Sequence, residues 1–186
     1  DADAAAVADR DRIVSAAERI AGLIRAIPDF PRPGVLFQDL TPVLADGAAL
    51  IEVADALLAP FAGGFDLVAG VEARGFAFAG AAAVRAGAGL LLIRKGGKLP
   101  GATRGVDYEL EYGRDRLELH LDQVPPGGRV LIVDDVLATG GTLAAAATLV
   151  DAAGGRVAGL SVALEIDGLG GRERLAGRGL HAVARA

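Results

Sequence analysis

Cysteine is absent from all 186 residues. That excludes disulfides, thiolate zinc sites and cysteine nucleophiles together, and it fits a reducing compartment, so the cytoplasm is the expected location. A basic surface is missing too. Lys and Arg number 19 against 24 Asp and Glu, for a net charge of −5 and a pI of about 5.0. Without a Lys/Arg-rich patch to track phosphates, neither nucleic acid nor an anionic membrane surface is an expected partner. The opening "DADAAAVADRDR" has no basic n-region and no apolar h-region, so no signal peptide is expected, although a chain opening on Asp1 reads as trimmed. The longest apolar run, "GFAFAGAAAVRAGAGLLLI" at 75 to 93, is broken by Arg85 and by glycines where a buried helix hands over to a strand, so it is not a membrane span. There is no internal repeat and no dividing linker. A 52% hydrophobic chain of this length can bury a sizeable core, which predicts one domain over 1–186.

Periodicity gives the elements. Helical spacing in "RIVSAAERIAGLIRAI" predicts a helix over 12–27, ended by Pro28, followed by a surface segment opening on "PDFPRPG". A second helix over 46–61 has Asp46 placed as its cap. The all-apolar "DLVAGV" (66–71) reads as a buried strand, followed by a helix near 76–86 and a strand over 90–94. The stretch from 95 to about 127 is the least core-like and holds two strands, around "YELEY" and "RLELHL". Then "RVLIVDDV" (129–136), a helix over 142–153 closed by Gly154 and Gly155, and a strand over 157–166 form a strand-helix-strand unit. Such alternation predicts an α/β fold with a mainly parallel sheet.

The chemistry concentrates in "VDDVLATGGT" (133–142). In a parallel α/β sheet ligands sit beyond the carboxyl ends of the strands, where Asp134 and Asp135 fall, and the next helix turns its N–H groups and positive dipole end to the same crevice. Gly140 and Gly141 let the backbone approach a phosphate, while Thr139 and Thr142 add hydroxyl donors. Two carboxylates would repel that phosphate, so they suit the hydroxyls of a sugar a few ångströms away. A ribose 5-phosphate satisfies both halves.

Other phosphate motifs fail on spelling. A P-loop needs Lys-Ser/Thr after its glycines, but Thr142 and Leu143 follow here, and the "GGK" at 96–98 leads into "LPG". In "GLGGRE" (168–173) a glutamate stands where a dinucleotide fingerprint has its last glycine. His120 and His181 are isolated, and no metal-ligand cluster is present. An ordinary capped turn at "DDVLATGG" would need one acid and neither threonine.

"VLIVDDVLATGGT" resembles the phosphoribosyl pyrophosphate (PRPP) motif of type I phosphoribosyltransferases. The segments "IPDFPRPGVLFQDLTPVL" (27–44), "GVEARGFAFAG" (70–80), "IRKGGKLPG" (93–101), "YELEYGRDRLELH" (108–120) and "GLGGRERL" (168–175) are similar to the adenine phosphoribosyltransferase family. The resemblance implies a central, mainly parallel sheet flanked by helices, a small hood from the N-terminal region and a flexible lid loop. It implies transfer of ribose 5-phosphate from PRPP to adenine with substrate-bound Mg²⁺, by a homodimer. Asp134 and Asp135 would hold the ribose hydroxyls, Ala138, Thr139, Gly140, Gly141 and Thr142 the 5-phosphate, and Arg74 the pyrophosphate. Leu36, Phe37 and Gln38 would form the adenine pocket, Phe37 by stacking; the family usually has arginine where Gln38 stands. Glu111 matches the family's catalytic acid near N7 of the base. Arg94, Lys95, Lys98 and Arg104 lie in a stretch without an acid, suited to a lid that brings cations to pyrophosphate and is mobile when empty. Glu109 and Glu118 are expected to be only solvated. Two further readings stay open: the same chemistry on another purine base, and a PRPP-sensing regulator on the same fold.

Overall fold

The computed structural model of the protein describes residues 16–110 and 113–186. A helix through 16–23 (α1) leads into the antiparallel pair β1 (Arg25–Pro28) and β2 (Leu36–Asp39), then α2 (Thr41–Ala45) and α3 (Gly47–Leu58). The remainder alternates: β3 (Leu67–Val71), α4 (Gly75–Ala86), β4 (Gly89–Lys95), β5 (Thr103–Leu110), β6 (Gly113–His120), β7 (Arg129–Leu137), α5 (Gly141–Ala152), β8 (Arg156–Glu165), α6 (Gly171–Arg174) and β9 (Leu180–Arg185). The main sheet has the order β5-β6-β4-β3-β7-β8-β9. Its five strands from β4 to β9 pair in parallel, and β6 and β5 extend one edge antiparallel.

Strand β7 explains why the central run is apolar throughout. Successive side chains point to opposite faces, and both faces are covered. Val130 and Ile132 pack on the side of α5, while Leu131 and Val133 pack on the side of α3 and α4. All four are fully buried, each burial contributing about 1.5–3 kcal/mol relative to exposure. Helix α3 begins where the cap was expected, with Asp46 Oδ1 accepting the Ala49 N–H at 3.0 Å. Among the described residues no helix is long and apolar enough to cross a membrane.

Three expectations are corrected. The helix over 12–27 stops, among the described residues, at 23, and Arg25–Pro28 is a strand. The residue before a proline is driven out of the helical region, and Arg25, Ala26 and Ile27 pair instead with Asp39, Gln38 and Phe37. The surface segment after Pro28 contains β2 and α2, and its Leu40 and Val43 are fully buried. The stretch 95–127 also reaches the core, since Leu117 and Leu119 of β6 are fully buried. α6 and β9 were not anticipated.

Candidate active site

The carboxyl ends of β3, β4 and β7 and the amino ends of α4 and α5 meet at a cleft of about 400 Å³, lined by Glu72, Arg74, Lys95, Tyr108, Asp134, Asp135, Ala138 and Thr142 among others. Strand β7 delivers both acids, each only 7% exposed. The Asp135 N–H donates to Asp134 Oδ1 at 2.9 Å, and the Arg74 Nε donates to Asp135 Oδ2. Burial and the neighbouring Asp135 push the Asp134 carboxyl well above its ordinary value. Gly75 opens α4 so close to this acid that a Cβ there would lie 2.6 Å from Asp134 Oδ1.

Beyond the acids, Ala138, Thr139, Gly140, Gly141 and Thr142 curl around an adjoining cavity of about 90 Å³. Gly140, the N-cap of α5, has φ +77°, a left-handed conformation that favours glycine. Beneath it runs "GLGGRE". A Cβ on Gly171 would sit 2.2 Å from the Ala138 carbonyl oxygen and 2.8 Å from the Leu137 side chain. The glycines that fail as a dinucleotide fingerprint therefore form the floor of the loop. Gly171→Ala should cost about 1–3 kcal/mol by overpacking and, on the expected assignment of the loop to PRPP, raise the KM for PRPP by displacing the loop. Thermal melting and PRPP kinetics check this, and an unchanged melting temperature with unchanged KM would contradict it.

The cations expected at pyrophosphate are engaged by acids. Glu72, in the turn after β3, accepts from Lys98 Nζ at 2.5 Å, the Lys95 N–H at 2.9 Å and Arg94 Nε at 3.4 Å. Burial alone would raise the Glu72 carboxyl, but hydrogen bonds from Lys98, the Lys95 N–H and Arg94 outweigh it and bring it to about 2. Lys95 Nζ meets Asp115 at 2.6 Å, and Asp115 accepts the hydroxyl of Tyr108, which lines the cleft together with Thr142, at 3.3 Å. The basic stretch carries no acid of its own, yet Glu72 and β6 supply the missing charges. The premise of a lid loosened by unneutralised charge is thus corrected. Glu118 is corrected as well: it accepts the Gly97 N–H at 3.0 Å and pairs with Arg116 at 3.1 Å. Glu109 is exposed, 3.9 Å from Arg114.

The side expected to take the base is built by β1, β2 and the turn between them. Asp29 accepts the Gly34 N–H at 2.7 Å to reverse the chain, and Asp39 ties β2 to α2 and β1 through the Thr41 N–H at 2.9 Å and Arg25 at 3.0 Å. Strand β2 then presents Leu36, Phe37 and Gln38 in succession, Leu36 exposed and the other two half-buried. The Phe30 ring meets Phe37 edge-on at 5.1 Å, and the Arg74 guanidinium lies 4.8 Å from the Phe37 ring centre.

Of the expected residues, Arg74, Lys95, Asp134, Asp135, Ala138 and Thr142 line one cleft, with Thr139, Gly140 and Gly141 beside it. Phe37 joins them through Arg74, while Arg94 and Lys98 stand at the rim on Glu72. Glu111 lies outside the described residues. Glu72 and Tyr108 were missed as site residues, although an acid directly after a buried strand and ahead of "RKGGK" was a signal. Among the described residues no three His, Asp or Glu side chains gather as a metal site. A second cleft of about 480 Å³ lies beside the amino ends of β3 and β4, but its Asp55 and Asp66 are paired to Arg85 at 2.7 Å and Arg129 at 2.6 Å.

Comparison with known proteins agrees with this geometry. The Phosphoribosyl transferase domain family matches residues 40–175, and the chain belongs to it. It is 58% identical over 168 residues to the adenine phosphoribosyltransferase of Renibacterium salmoninarum, covering 90% of this chain and 92% of that one. The crystal structure of the Rhodothermus marinus adenine phosphoribosyltransferase superposes with a TM-score of 0.88 at 46% identity, covering 93% of this chain and 99% of that one. The Saccharomyces cerevisiae adenine phosphoribosyltransferase, complexed with an imino-altritol bisphosphate and adenine, gives 0.86 at 34% identity, covering 91% and 99%. Within the wider family the chain thus falls among the adenine phosphoribosyltransferases.

Proposed function

We propose that the chain, working as one phosphoribosyltransferase domain in the cytoplasm, converts adenine and PRPP to AMP and pyrophosphate, a purine-salvage reaction. The observation that carries this reading is a single cleft bringing a buried acid pair, a glycine-rich helix N-terminus and cations from β4 and the β3–α4 turn within reach of one ligand. N9 of adenine attacks C1 of the ribose as the bond from C1 to pyrophosphate breaks. Positive charge spreads over the ribose ring and negative charge collects on the leaving group, so the protein acts mainly by position and electrostatics.

Each group has one task. Ala138 to Thr142 hold the 5-phosphate with backbone N–H groups and hydroxyls, and Asp134 and Asp135 accept hydrogen bonds from the ribose hydroxyls. Arg74, Lys95, Arg94 and Lys98 take the pyrophosphate, the last two by leaving Glu72. Leu36, Phe37 and Gln38 hold the base, and Glu111 manages the imidazole proton at N7. Mg²⁺ suits this site as a substrate-held ion: the cleft's carboxylates supply hard oxygens but are already bonded, Asp135 to Arg74, Glu72 to Lys98 and Asp134 to the Asp135 N–H. Bound by pyrophosphate and ribose oxygens, it would neutralise charge on the leaving group. AMP and pyrophosphate should form one-to-one from adenine and PRPP, and not when Mg²⁺ is chelated. Absence of AMP from folded, Mg²⁺-supplied protein would refute the proposal.

A second copy of the chain is the proposed partner. On the outer face of β4, Leu90 and Leu92 are 40% and 38% exposed, and Val84 on the adjacent α4 is 82% exposed, an apolar face suited to burial in a homodimer. In sedimentation the native chain should run as a dimer and Leu90→Glu/Leu92→Glu as a monomer. A native monomer would contradict this.

A further inference from the structure

Arg74 is the N-cap residue of α4 and reaches both substrate positions from there. Its Nε donates to Oδ2 of Asp135, the acid assigned to the ribose. Its guanidinium carbon stands 4.8 Å from the centre of the Phe37 ring, the ring assigned to adenine. The Asp135 side chain is 10% exposed and fixed on β7, whereas that of Arg74 is 40% exposed, with solvent into which it can swing. Phe37 is anchored from another side by the edge-on Phe30 ring at 74°.

We infer that Arg74 covers the stacking face of Phe37 until pyrophosphate draws it away, so that filling the phosphate side of the cleft opens the adenine side. A guanidinium stacks on an aromatic face and pairs with a carboxylate by its fork of donors. A purine stacked on that face would need the space the guanidinium fills, and the two could not share it. Adenine entering alone must displace Arg74 and forfeit the stacked contact. A pyrophosphate group carries more charge than one carboxylate and offers oxygens in pairs, so it is the stronger partner for the fork. Moving Arg74 onto it breaks the contacts to Asp135 and Phe37 together. Two ligands that each prefer the state with Arg74 withdrawn strengthen one another's binding reciprocally. The inference rests on the proposed roles of Phe37 and Arg74 and adds that the arginine competes with the base instead of forming a wall for it.

The test is calorimetric binding of adenine to the full chain, with and without saturating Mg²⁺ and pyrophosphate. Native protein should bind adenine about 5-fold or more tightly when pyrophosphate is present, a coupling at the low end of those measured between linked sites. Arg74→Ala should bind adenine more tightly than native protein when pyrophosphate is absent and should not respond to its addition. Arg74→Gln, which keeps a polar side chain beside Asp135, should behave the same way and serves if the alanine variant does not fold. Weaker adenine binding by either folded variant would make Arg74 a wall of the base pocket and overturn the inference. So would native protein whose adenine affinity ignores pyrophosphate. If folded native protein binds adenine under neither condition, the base-pocket assignment itself fails.

Discussion

Glu111→Gln should lower kcat by roughly 10²- to 10⁴-fold, the usual contribution of a positioned proton-transfer group, while leaving the KM for PRPP close to native. That split marks an interaction made mainly in the transition state, since a carboxyl at N7 does its work only as N9 commits to C1. Glu109→Gln is the internal control. Glu109 is exposed, with Arg114 3.9 Å away, and an ion pair of that kind contributes little. Steady-state kinetics with adenine varied and PRPP saturating, then the reverse, separates the two parameters. Near-native kcat in Glu111→Gln, or a larger loss in Glu109→Gln, would remove Glu111 from the mechanism even if the overall reaction stands.

Replacing Asp134 and Asp135 together by asparagine should be nearly as severe, but through PRPP. Each carboxylate hydrogen bond to a ribose hydroxyl is charge-assisted, and losing the charge at two such bonds removes roughly 3–6 kcal/mol, or about 10²- to 10⁴-fold in kcat/KM for PRPP. The fold should survive. Both side chains are buried, yet asparagine keeps their volume and its oxygen can still accept the Asp135-position N–H. Asp134 is in addition a group whose charged form burial and Asp135 oppose, so removing its charge costs the folded state little. Circular dichroism and thermal melting alongside PRPP kinetics test both halves. Native kinetics would refute the ribose assignment, and an unfolded variant would refute the claim that these acids serve substrate more than structure.

The strand-loop-helix unit from Arg129 to Ala152 was legible because each of its parts is local. An apolar run buried on both faces, two acids where it ends, small residues in the turn and a helix behind them all lie within 24 consecutive positions. Asp46 was legible as a cap for the same reason, its partner being three residues away. β1 was not, because Leu23, Ile24 and Ile27 continue a helical spacing, and what overrides it is pairing with a strand whose residues lie 8 to 14 positions further on. Glu72 escaped notice for a related reason. A single acid after a strand looks solvated until the chain returns with Arg94, Lys95 and Lys98. The floor under the phosphate loop has the same character, since nothing near Gly171 in sequence announces that Ala138 will lie against it. Residues that donate chemistry are thus readable from type and spacing, whereas residues that hold those donors depend on distant parts of the chain meeting.

That contrast also bears on base choice. Leu36 is exposed, Phe37 carries the guanidinium of Arg74 on its face, and Gln38 stands where the family usually has arginine, so the proposed function assigns recognition of the adenine amine to the hood as a unit. A site matched to an exocyclic amine leaves polar groups unmatched when a carbonyl arrives, a mismatch able to discriminate by roughly 10⁴-fold. The most direct measurement is kcat/KM for adenine and for hypoxanthine, taken with the same preparation at saturating PRPP and Mg²⁺. The account predicts ready turnover of adenine to AMP and, for hypoxanthine, a value lower by orders of magnitude. Equal values for the two bases, or turnover of hypoxanthine without adenine, would contradict it.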